Sequence, residues 1–154
     1  MNYNEVVSSL RSLAREELRL KAVNALRAEL LPVTCRKETV NKQTEEALAA
    51  FAKKTAVNEF KMAKLDDADP EKAEKIEKLT KENEAILKMV DETRKAAAEA
   101  IDSLTAQEKE LNEAISKVQA GESKVCKEEL NAVTDRLIQE VTGELAKEVA
   151  GKAV

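Results

Sequence analysis

Between positions 70 and 119 apolar residues recur in alternating steps of three and four. Ile76, Leu79, Ile86, Val90, Ala97, Ala100, Leu104, Leu111, Ala114 and Val118 occupy one a/d frame, and Asn83, Thr93 and Gln107 fill the places they skip. A 3.5-residue repeat held over about six heptads marks helices packing side by side. Leu87, Ile101 and Ile115 widen the stripe to the e positions, as a bundle requires and a two-stranded zipper does not. The ends are punctuated as well. Asp69 precedes Pro70, an N-cap followed by a residue whose missing N–H costs nothing at the first helical position. Gly121 suits the left-handed position after the last turn, and Ser123 can cap the next helix. Acid-before-base pairs such as Glu74/Lys78, Glu84/Lys88 and Glu113/Lys117 line the outside at i,i+4. The pattern predicts one helix of about 50 residues, roughly 75 Å long.

The flanking segments predict three shorter helices, at about residues 4–31, 37–66 and 124–149. The first is expected to stop at Pro32, leaving Pro32-Val33-Thr34-Cys35 as a connector. Its early apolar residues (Val6, Val7, Leu10, Leu13, Ala14) share a face, whereas Leu18, Ala22, Ala25, Leu26 and Leu30 drift round the cylinder, so its halves are expected to touch different neighbours. The second shows a 3-4 seam with polar members: Thr44, Leu48, Phe51, Thr55, Asn58, Met62 and Leu65. A short link at 66–70 favours an antiparallel return, with Phe51 level with Ala85, Val40 level with Ala96, and the long helix outrunning its partner. The last helix carries Cys126, Leu130, Val133, Leu137, Val141 and Leu145 on one stripe, with Ile138 beside it, and is expected to cover that overhang. The expected fold is all-α: residues 1–154 form a single unit, an elongated antiparallel helical hairpin or bundle of about four helices built on one coiled-coil-like helix.

Composition narrows the function classes. Charged residues make up 36% of the chain and aromatics 2%, with no Trp, no His, three Gly and two Pro, which suits extended helices and disfavours a sheet. A net charge of −4 argues against general phosphate binding. No apolar run approaches the ~20 residues of a membrane span, and residues 1–5 lack the basic start of a signal peptide, so a cytoplasmic protein, or one inside a virion assembled in the cytoplasm, is expected. Cys35 and Cys126 are too distant for a disulfide; Cys126 is expected to be a small buried hydrophobe and Cys35 a loop thiol.

Catalytic chemistry finds little purchase. Without histidine the commonest general base and transition-metal ligand are both missing. Asp66, Asp67 and Asp69 lack the glycine and distal glutamate of a calcium loop, and read as a turn with an N-cap. No catalytic residue, metal site or cofactor is implied. Two sets of residues carry interaction readings instead. The first is the packing seam, Ile76, Leu79, Asn83, Ile86, Val90, Leu104, Leu111 and Val118; within it Asn83 is read as a partly wet position near the bundle end, with a register-setting buried amide as the alternative. The second is Arg11, Arg15 and Arg19, spaced i, i+4, i+8 in a segment (residues 1–37) with seven Lys/Arg and four Asp/Glu. This stripe is read as a solvated face interleaved with Glu16 and Glu17, with a docking stripe as the alternative.

In composition alone the chain is similar to phage or viral assembly and virion-interior proteins, and to small cytoplasmic coiled-coil adaptors. The function expected is that of a non-enzymatic structural or assembly protein, homo-oligomeric or part of a larger complex, which packs through coiled-coil-type contacts. The alternative is an interaction module that docks an acidic partner, a nucleic acid or an anionic membrane through the basic N-terminal helix.

Overall fold

The computed structural model describes residues 2–121 and 125–152. They form three helices and no strand: α1 (Tyr3–Ala63), α2 (Lys72–Gln119) and α3 (Lys127–Lys152). By contact they divide into two compact units, Met1–Leu30 with Glu110–Val154 (unit 1) and Leu31–Lys109 (unit 2).

The chain enters α1 through a reciprocal cap. Asn2 Oδ1 accepts the Glu5 N–H at 2.9 Å, and the Asn2 N–H reaches the Glu5 carboxylate at 3.2 Å, so two backbone donors of the first turn find partners. The helix then runs for 61 residues and continues through Pro32. The predicted helices at 4–31 and 37–66 are therefore one, Cys35 lies on a helix rather than in a connector, and α1 rather than α2 is the longest element. Proline removes one backbone hydrogen bond and crowds the preceding turn, at about 3 kcal/mol. Contacts on both sides offset that. Val33 is buried and Leu30 half-buried, and Thr34 and Lys37 reach Glu108 of α2 at 3.3 and 3.2 Å.

In unit 2, α1 and α2 run antiparallel: Thr34 lies opposite Glu108, Asn58 opposite Asn83 and Met62 opposite Thr80. Phe51 therefore falls near the level of Val90 rather than Ala85, a shift of about one and a half helical turns from the expected register. The start of α2 accounts for it. With Met62 opposite Thr80, the first turns of α2 from Lys72 onward run past the end of α1 at Ala63 before the two helices pair. Side-chain hydrogen bonds order the link between them. Asp66 Oδ1 accepts the Ala68 N–H at 3.1 Å; Asp69 Oδ1 accepts the Glu71 N–H at 2.9 Å as an N-cap, while Asp69 Oδ2 takes the Lys75 ammonium at 2.7 Å. The ammonium, and after it the Glu71 N–H, holds the Asp69 carboxyl below its ordinary pKa.

In unit 1, Leu10, Ala14 and Val23 of α1, Ile115 of α2 and Leu130 of α3 form the buried core. Arg11 pairs with Asn131 and Glu17 with Arg136, which sets α3 parallel to this part of α1. α2 closes on Gly121 at φ +75°, the left-handed position that glycine adopts without penalty. The expected cap at Ser123 lies outside the described residues. Coverage of α3 ends sooner than its apolar pattern suggests. Leu130, Val133, Thr134, Leu137 and Ile138 are buried or half-buried, but every residue from 139 to 151 is exposed, Val141 and Leu145 included. Cys126, expected to be buried, is exposed, because it precedes the first packed turn of α3.

Candidate functional site

The seam residues fall into the two units. In unit 2, Ile76, Leu79, Asn83 and Val90 are half-buried, and Ile86 and Leu104 are buried, all on the side of α2 that meets α1; Leu111 and Val118, half-buried, belong to unit 1. The facing positions of α1 (Thr44, Leu48, Phe51, Thr55, Asn58 and Met62) are buried or half-buried in step with them. The a/d frame slips once: Gln107 is exposed and Glu108 turns inward to meet Thr34 and Lys37. Leu87, one of the e positions that widened the stripe, is exposed.

Within this seam the structure brings together two amides. Asn58 is 3% exposed, and its Nδ2 donates to Asn83 Oδ1 at 2.9 Å and to Glu82 Oε2 at 3.4 Å. Asn83 is half-buried, and its side-chain oxygen is the hydrogen-bond partner of a buried amide. Such a pair penalises any sliding of α1 along α2, because each shifted register strands a polar group against apolar neighbours. Both asparagines are visible in the sequence as polar members of apolar seams. What the sequence does not show is that they meet.

The basic stripe does not form a uniform outward face. Arg11 Nη2 donates to Asn131 Oδ1 on α3 at 3.4 Å, and Arg19 pairs with Glu16 while its guanidinium lies against the end of α2 beside Gly121. Arg15 and Arg19 line an open cavity of about 710 Å³ with Leu18, Val118, Glu129 and Leu130. Glu129 places a negative charge in the same cavity, so it is not a simple cationic cleft. A second ion pair escapes any pattern-based reading: Arg136 of α3 grips both carboxylate oxygens of Glu17. That hydrogen bonding, chiefly, lowers the Glu17 pKa below the ordinary carboxylate value.

Among the described residues no three His, Cys, Asp or Glu side chains gather as a metal site requires. None of their helices is long and apolar enough to cross a membrane. Comparison with family models, curated proteins and solved structures returns no match to this chain.

Proposed function

We propose that this chain is a non-enzymatic structural or assembly protein, which joins copies of itself or a larger protein complex through helix packing. The observation that carries the reading is the far end of α3. Val141, Leu145 and Val149 recur at four-residue steps and are 46, 59 and 61% exposed, on a stretch (residues 139–151) that no other part of the described chain covers. A helical segment of that length gains little from its own backbone in water, where isolated helices shorter than ~12–15 residues are marginal. A covering partner would supply the missing stabilisation, and an apolar row at helical spacing is what another helix packs against.

The docking alternative has less behind it, since Arg11 and Arg19 already have partners at Asn131 and Glu16. The test is light scattering over a range of concentrations on the wild type and on a Val141→Ser/Leu145→Ser/Val149→Ser variant. Wild-type mass should exceed that of one chain, and the variant should associate about a hundredfold more weakly or less still. A wild-type chain that stays monomeric throughout, and captures no protein partner, would sink the proposal.

A further inference from the structure

Two uncovered apolar faces of this protein carry opposite charge. In unit 2, Lys53, Val57, Phe60 and Lys61 of α1, with Lys64 just past its end and still bonded through its N–H to the Phe60 carbonyl, fall within about a third of a turn of one another at 100° per residue, on the side away from the seam at Thr55, Asn58 and Met62. All five are exposed; Phe60, one of only two phenylalanines, is 68% exposed. Lys53, Lys61 and Lys64 form no ion pair among the described residues. On α3, in unit 1, the apolar row Val141/Leu145/Val149 is flanked along its length by an acidic row, Glu140/Glu144/Glu148, each one residue earlier. Glu140 has Arg136 at 3.5 Å, whereas Glu144 and Glu148 form no ion pair among the described residues. Lys147 lies outside both rows, beyond the acidic one.

We propose that the acidic, apolar end of α3 in one copy docks on the basic, apolar face of α1 around Phe60 in a second copy. This rests on the assembly reading above and specifies its partner and geometry. The faces are close in length, about three helical turns around Phe60 and about two and a half on α3, and they match in chemistry. Phe60 supplies an aromatic anchor, Val141, Leu145 and Val149 the surface it packs on, and three lysines meet the glutamate row. Because the joined patches are different, the contact is head-to-tail. Each joined pair keeps one free patch of each kind, so growth runs on as an open chain or ends where two free patches meet and close a ring.

Charge-reversal variants test this by sedimentation velocity across concentration and salt, with circular dichroism confirming unchanged helix content. All substitutions are at exposed positions. Lys53→Glu/Lys61→Glu/Lys64→Glu and Glu144→Lys/Glu148→Lys should each weaken association by roughly tenfold or more, and a 1:1 mixture of the two should restore it. Wild-type association should also fall with added salt. If wild-type copies associate and either variant matches them, or the mixture restores nothing, the head-to-tail contact is wrong while the assembly reading stands. If wild-type copies do not associate at all, the head-to-tail contact falls, and the assembly reading falls with it when the chain also captures no other protein.

Discussion

Asn58 and Asn83 are the residues at which α1 and α2 exchange apolar contact for specificity. Burying an amide stabilises little when it is satisfied and costs when it is not. Asn83→Ala removes the 2.9 Å acceptor and leaves the Asn58 amide with only the 3.4 Å contact to Glu82. Urea denaturation should show a loss of about 1–3 kcal/mol. Replacing both residues with leucine should recover that stability or exceed it, and cysteine cross-linking along the two helices should then trap shifted registers that the wild type excludes. A double-leucine variant held in a single register would show that the amides do not set it. Spacing alone marks both residues as seam positions. Their encounter depends on the register across unit 2, which is set by how far α2 runs past the end of α1 before the two pair, and no local pattern reports that offset.

At the scale of the element, caps were legible and the interior break was not. Asp69 and Gly121 act locally, through one hydrogen bond and one left-handed φ, so the residues themselves announce the structure. Pro32 announces a stop with equal clarity, yet α1 continues through it. The reason is tertiary. Val33 is buried and Lys37 is bound to Glu108 just beyond the proline, and burying one large aliphatic side chain is worth about 1.5–3 kcal/mol. With half-buried Leu30 and the Thr34–Glu108 hydrogen bond added, these contacts offset the proline penalty of about 3 kcal/mol. Pro32→Ala should therefore leave helix content unchanged and raise stability by about 1–3 kcal/mol, read as a higher midpoint in thermal denaturation. A drop in stability would mean that the proline is favoured by its surroundings rather than tolerated. The far half of α3 shows the converse failure. Its apolar spacing continues past Ile138, but its coverage does not, because coverage depends on how far a neighbour runs alongside.

For the whole molecule, the all-α class was plain in the abundance of Ala, Glu, Lys and Leu and the scarcity of Gly, Pro and aromatics. The division into two units was legible only in part: the boundary in α1 falls beside Pro32, whereas the boundary between Lys109 and Glu110 lies inside α2 where no residue punctuates the chain. That division gives the chain an order of birth. Unit 2 is one uninterrupted stretch, residues 31–109, and can close as soon as the ribosome has released it. Unit 1 draws on residues 1–30 and 110–154, so its first part waits, with Leu10, Ala14 and Val23 unsheltered, until the segment from residue 110 onward has been made. Pulse proteolysis of nascent chains stalled soon after residue 109 emerges should find 31–109 resistant and 3–30 readily cut, and equal resistance in both would contradict this sequence of events. Until then the leading segment is the part a chaperone has most reason to hold.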